Sequence, residues 1–280
     1  MKENTLQVNK SQKVFTATAK KSKRKDKHKQ PLWVTIFRLG IIAAILVGIE
    51  LAVSQGYVNK IFLASPSQIA DEFTYMLRQN ELLPQIMLTL QEALLGYAIS
   101  AVVGIGIGVL FVTFPKLEAL LTPFFSAIMA VPKTAVMPLL IVWFGIGFKS
   151  KVIMVFLFCM FTVLFNTVSG AKQTKVEHLK VAHVFKATRA QIVFKVLIPS
   201  ALPGIFTGLR VTAATAITGV IFAEMTASKG GAGYLLSEAQ AVLNTPKLYL
   251  VVIIVTLLSV LFVSIVNLAE RIVFRHQRTI

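Results

Sequence analysis

The sequence predicts an all-α, polytopic membrane protein with about six transmembrane helices. Three observations carry that reading. Hydrophobic residues make up 55% of the 280-residue chain and charged residues only 15%, with a mean hydropathy of +0.73, whereas soluble domains are less apolar and about a quarter charged. Apolar runs near the 20 or so residues that cross a bilayer recur at 33–54, 86–113, 118–148, 151–170, 203–226 and 246–270. Lysine and arginine gather on alternate connections between those runs.

Residues 1–32 read as a disordered basic cytoplasmic tail, because they are polar, lysine-rich and poor in large apolar groups. The segment Lys20–Lys29 (KKSKRKDKHK) and the net charge of +17 suit anionic lipid headgroups beside a membrane domain better than nucleic acid. No cleavable signal is expected ahead of the first run. Residues 33–280 form the transmembrane domain, with a cytoplasmic loop at 172–199. An even number of spans places both termini on one side. The tail, Lys116, the loop lysines and arginines from Lys172 to Lys195, and Arg271, Arg275 and Arg278 share it. Opposite lie Lys60, Arg78, Lys149, Lys151, Lys229 and Lys247, so the termini are read as cytoplasmic.

Between the first two spans, Ser65-Pro66-Ser67-Gln68 combines an N-cap serine, a proline at the first helical position and a glutamine spaced for a capping box. The helix it opens is amphipathic and expected at the outer surface. In the second span, Gly104, Gly106 and Gly108 lack a following Gly-Lys-Ser/Thr and therefore serve helix packing rather than phosphate binding. The third span is interrupted by Pro123, Pro132-Lys133 and Pro138 and cannot be one straight helix. Broken backbone at that depth either lines a wet substrate path or is a kink used in packing.

The single cysteine, Cys159, lies in an apolar run and acts as a small core hydrophobe, and the four histidines fall at no metal-ligand spacing. No metal is expected. Ionisable groups inside spans are functional candidates by default, since their burial is costly; Glu92, Lys133, Arg210 and Glu224 qualify. Arg210 either snorkels, forms an internal salt bridge or helps close a gate, while Glu224 organises the glycine turn Lys229–Gly233. Pro132, Lys133, Pro138, Arg210 and Glu224 are the candidates for the translocation path. Aromatic residues such as Trp143 and Phe144 read as lipid contacts or as a stacking surface for a flat solute.

The loop between the fourth and fifth spans carries too many order signals for a linker. Thr174…Glu177 and Thr188…Gln191 each have capping-box spacing, so two short helices should meet near 186–188, the second ending before Pro199. Their junction is a rigid knuckle exposing Val181, Val184 and Phe185, apolar groups that want a partner.

From Ala182 through Pro199 and on to Arg210, this loop resembles the EAA loop of bacterial ABC importer permeases, and more narrowly those of the nitrate, sulfonate and taurine group. Leu63–Ile69 (LASPSQI), Val142–Gly147, Ala223-Glu224, Gly231–Leu235, Thr245-Pro246 and Glu270-Arg271 extend the resemblance over roughly residues 60–272. It implies a type I ABC importer permease in the bacterial inner membrane, carrying a small anion such as a sulfonate, taurine or nitrate, or a small vitamin precursor. The partners it implies are a second permease copy, two cytoplasmic ATPase subunits that bind ATP and Mg, a solute-binding protein outside and membrane lipid. This chain would itself bind no cofactor and catalyse no reaction. Val181, Ala182, Val184, Phe185, Lys186, Ala187, Thr188 and Pro199 would form the ATPase-coupling loop, and Gly231, Gly233 and Tyr234 the contact with the binding protein. Lys180 and Lys186 stand where the family carries Glu and Gly. If positive φ were required at Lys186 it would cost about 1 kcal/mol, so ordinary right-handed geometry is expected there.

Three other classes compete. An ATP-independent transporter or channel calls for internal repeats or ion sites that the sequence lacks. A membrane enzyme calls for a catalytic constellation within the spans. An RNA-binding anchor leaves the ordered loop without a role.

Overall fold

The computed structural model describes residues 32–277, and every regular element among them is a helix. The expectations for residues 1–31, and for the side chains of Arg275 and Arg278, fall outside the described residues. Two compact units divide between Ala52 and Val53. The described part of the first is residues 32–52 of α1 (Leu32–Ser54), a continuous apolar helix of spanning length.

In the second unit, α2 (Pro66–Arg78) starts as expected: Ser65 Oγ accepts from Gln68 N–H while the Gln68 side chain accepts from Ser65 N–H. Thirteen residues are too short to cross a bilayer, and Met76 and Ile69 instead pack among Leu82, Leu235, Leu250 and Val251. The spans follow as α3 (Leu82–Thr113), the pair α4 (Pro115–Ala130) and α5 (Lys133–Phe144), α6 (Phe148–Lys172), α9 (Ile198–Thr226) and α11 (Thr245–Gln277), with α7 (Val176–Val184), α8 (Arg189–Ile192) and α10 (Ala232–Ala241) in the connections.

Small residues set how closely the spans approach. The Gly104/Gly108 face does serve packing, and Gly96 extends it: a Cβ added at Gly96, Gly104 or Gly108 would meet Val155, Met160 or Thr167 of α6 within 2.8 Å. Glycine lets the two backbones close to a distance at which dispersion contacts accumulate. At the crossing of α6 and α9 the same logic applies, because a Cβ on Gly204 would lie 2.7 Å from Gly170 Cα. Around these contacts Ala93, Val155, Cys159, Ala213, Ala216 and Val220 form the buried centre, with Cys159 a free thiol. The Tyr97 ring packs edge-on against Phe262 at 4.8 Å, and its hydroxyl donates to Leu209 O.

Of the prolines in the third span, only Pro132 breaks it. Pro123 and Pro138 sit inside α4 and α5, whereas Val131 is extended ahead of Pro132 and the two helices meet at 90°. A residue before proline is pushed out of the helical region, which explains the position of the bend.

The loop departs from expectation in three places. Thr174 does not open α7: its hydroxyl donates to Ala171 O, and Lys175 stands at the N-cap with no side-chain bond. A threonine that satisfies the last turn of α6 cannot also cap the next helix. The segment after α8 also does not stop before Pro199. It passes through a π turn, Val193–Leu197, into α9, with Ile198 N–H donating to Val193 O. The wider turn relieves the clash that proline imposes on the carbonyl four residues back, so Pro199 and Pro203 both lie within one long helix. Finally, Lys186 is left-handed, with φ +51°, where right-handed geometry was expected. Lys186 N–H bonds His183 O and Ala187 N–H bonds Ala182 O, the paired bonds of a Schellman cap, which requires that residue in the left-handed region.

Candidate functional site

The chain direction of α3, α6, α9 and α11 sorts their ends into two groups. Residues 113–118, 172–198 and the end of α11 lie at one end of the second unit; residues 82–92, 148–151, 224–235 and 245–247 lie at the other. Each end carries a distinct arrangement.

At the second end a polar cluster is enclosed among the spans. Glu92 on α3 is 0% exposed, Lys151 on α6 is 3% and Glu224 on α9 is 1%. Lys151 Nζ lies 2.5 Å from Glu92 Oε1 and donates to Ser228 Oγ at 3.0 Å. Thr89 Oγ1 donates to Glu224 Oε1 at 2.7 Å and accepts from Ala232 N–H at 2.7 Å. Gly233 N–H donates to Glu224 Oε2 and Gly231 N–H to Gln85 Oε1. The first N–H groups of α10, which have no partner within their own helix, are thus capped by side chains of α3 and α9. A carboxylate there also complements the positive end of the helix dipole.

Glu224 therefore organises the glycine turn and is enclosed by protein rather than turned into an open path. Gly231 and Gly233 are buried and Tyr234 is half-buried, so at this turn an exposed side chain is Lys229. Gly231 has φ +106°, and a side chain there would run into the Glu224 carboxylate. Sequence reading missed Lys151, taking it only as a loop charge. A signal was available: a carboxylate at Glu92 within a span calls for a cation at the same depth, and Lys151 enters its own span from that end. Beside this cluster Lys247 bridges Glu81 at 2.8 Å and Glu238 at 2.7 Å, tying α3, α10 and α11 together.

At the first end, α7 and α8 meet in the Schellman cap and a capping box in which Thr188 Oγ1 accepts from Gln191 N–H and Gln191 Oε1 accepts from Thr188 N–H. Between these fixed points Val184 and Phe185 stand 79% and 81% exposed, with Val181 exposed beside them. Ala182 is buried, Ala187 is half-buried and Pro199 is exposed farther along.

The remaining candidates lie apart from one another. Arg210 pairs with Glu270 of α11, the internal salt bridge among its three readings. Lys133 begins α5 immediately after the 90° bend, with Pro132 at the N-cap and its Nζ 5.8 Å from the centre of the Phe158 ring. No ion pair holds Lys133 among the described residues. Pro138 is exposed one turn farther on.

Residues 82–279 match the family described as binding-protein-dependent transport system inner membrane component. The protein named as the aliphatic sulfonates transport permease SsuC of Bacillus subtilis is 31% identical over 232 residues, 82% of this chain and 84% of that one. The riboflavin transport system permease RibX of Chloroflexus aurantiacus is 31% identical over 215 residues, 77% and 80% of the two chains. In fold, the chain is similar to the inward-facing MetNI methionine ABC transporter, with a TM-score of 0.59 over 69% of this chain and 95% of that chain at 22% identity. The chain belongs to the binding-protein-dependent inner-membrane component family, in its nitrate, sulfonate and taurine group, and is a multi-pass permease subunit of an ABC importer rather than an enzyme.

Proposed function

We propose that the end carrying α7 and α8 faces the cytoplasm and seats Val184 and Phe185 in a groove of an ABC ATPase subunit. Two such ATPases, holding ATP and Mg, act on two copies of this chain, and their closure drives the pair from inward-open to outward-open. A solute-binding protein docks at the opposite end, where the cluster around Glu224 holds the turn and α10 in place. The observation that carries this reading is the exposed apolar pair Val184–Phe185 on a doubly capped tip, since such groups are stable in a partner and costly in water. Phe185→Asp tests it in the reconstituted importer. Loss of solute-stimulated ATP hydrolysis with an unchanged thermal melt supports the coupling role; normal transport overturns it. Ala182→Glu is a poorer test because Ala182 is buried.

For the solute, the reading is a small anion passing the α4/α5 bend. Lys133 supplies a cation at the N-terminus of α5, where the helix dipole adds to its charge, whereas the charge of Arg210 is already met by Glu270. Uptake of an aliphatic sulfonate into vesicles bearing the full importer should fall at least about tenfold in Lys133→Met and persist in Lys133→Arg. Uptake of riboflavin instead, indifferent to both changes, would remove the anion from consideration.

A further inference from the structure

We propose that the cavity between the end of α3 and the α8–π segment is a binding site for an anionic phospholipid, with Lys116 and Arg189 on its headgroup phosphate and the upper part of one acyl chain against the cavity's own apolar wall. The cavity has a volume of about 550 Å³ and is lined by Val112, Phe114, Pro115, Ile192, Val193 and Leu197 together with those two cations. Its depth in the bilayer follows from its walls: the α3 span ends at Thr113 and the span that becomes α9 begins at Arg189. Both cross into the headgroup layer at this point.

Charge selects the ligand. Lys116 and Arg189 have exposed side chains with no hydrogen bond or ion pair among the described residues, and no carboxylate lines the cavity. Glu118, the acidic residue nearest in sequence, is committed to Lys172 at 2.5 Å. Two unneutralised cations at headgroup depth attract a phosphate, and their charges are not offset as they would be over a zwitterionic choline headgroup.

The apolar part selects a chain-bearing molecule over a free phosphate. Val112, Phe114, Pro115, Ile192, Val193 and Leu197 give the cavity an apolar wall that a free phosphate would leave in water, while the gap deeper between α3, α6 and α9, past Val109, Ala201 and Ile205, has a volume of only about 10 Å³ and closes its floor. The π turn shapes this wall, as both Val193 and Leu197 belong to it. A lipid held here would bridge α3 and the base of the loop, so its occupancy bears on how far that loop can move relative to the spans.

Native mass spectrometry of the purified full-length protein in mild detergent tests the assignment. Phosphatidylglycerol and phosphatidylcholine of matched chains are titrated separately. Wild type should retain phosphatidylglycerol at roughly tenfold lower lipid concentration. Lys116→Ala/Arg189→Ala should lose that preference with its gel-filtration profile unchanged, and Lys116→Arg/Arg189→Lys should keep it. Equal retention of the two lipids by wild type, which needs no variant, would overturn the site, as would a preference that survives the double alanine change. Displacement of the lipid by millimolar glycerol 3-phosphate would overturn the acyl-chain assignment in favour of a soluble phosphate ester.

Discussion

Lys151 Nζ sits 2.5 Å from Glu92 Oε1, and both side chains are enclosed among α3, α6 and the turn that follows α9. Removing one member of a buried pair strands the other charge, at a cost of about 3–5 kcal/mol, whereas replacing both by apolar groups of similar volume is often neutral. Lys151→Met alone should therefore lower the melting temperature in detergent by on the order of 10 °C. Glu92→Leu/Lys151→Met should recover most of the loss. A double variant as unstable as the single one would mean that Lys151 acts chiefly through Ser228 or the Glu224 cluster.

Gly231 and Gly106 form a matched pair of opposite sign. At Gly231 the backbone is at φ +106° and an added Cβ would collide with the Glu224 carboxylate; at Gly106 a Cβ meets nothing within 4 Å, in the middle of α3. Gly231→Ala should destabilise by more than about 2 kcal/mol and weaken the response of ATP hydrolysis to the binding protein. Gly106→Ala should gain about 0.5–1 kcal/mol from helix propensity. Thermal melts of the two variants, together with a binding-protein titration of ATPase rate, check both signs.

Close backbone approach at Gly170 and Gly204 makes a third prediction. The Cβ of Gly204→Ala would lie 2.7 Å from Gly170 Cα and 2.8 Å from Asn166 O, both of them rigid positions on α6. The helices must separate to admit it, opening the contacts of Ala171, Ala201 and Ile205 behind. A loss of about 1–3 kcal/mol is expected, read as a lower melting temperature, and Gly204→Val should be worse. Gly40→Ala, where a Cβ has open space, should leave the melting temperature within a degree or two.

Signals confined to a few neighbouring residues were legible in the sequence. The caps at Ser65 and Thr188 formed as their spacing indicates, the spans lie where hydropathy puts them, and the Gly104/Gly108 face packs a helix. Signals that depend on a competing partner were not. Thr174 has a correct capping box on paper but a carbonyl at Ala171 claims its hydroxyl first. Pro199 reads as a stop, yet one widened turn absorbs it. Lys151 stood out from other lysines only as a cation at the depth of Glu92, and its pairing with that carboxylate follows from α6 lying against α3, a relation between segments remote in the chain that no local pattern encodes. Of the candidate residues, Glu224 and Arg210 were placed by their expense within a span, while their partners Thr89, Gly233 and Glu270 emerged only with the packing.

Lys186 yields the last prediction, because it holds a left-handed conformation that the Schellman bonds require and that lysine adopts at a cost. With φ at +51°, replacement by glycine removes a steric penalty of about 1 kcal/mol while keeping the N–H that bonds His183 O. Lys186→Gly should slow hydrogen exchange at the Ala187 amide, which bonds Ala182 O, by up to about fivefold. Lys186→Val, branched at Cβ, should speed it and loosen the tip that carries Phe185. Transport then separates two roles for the residue. If Lys186→Gly transports as well as wild type while its tip exchanges more slowly, the lysine only tolerates the geometry; if transport fails although the tip is more rigid, its ammonium group is a contact with the ATPase, and the family glycine has been exchanged here for a specific charge.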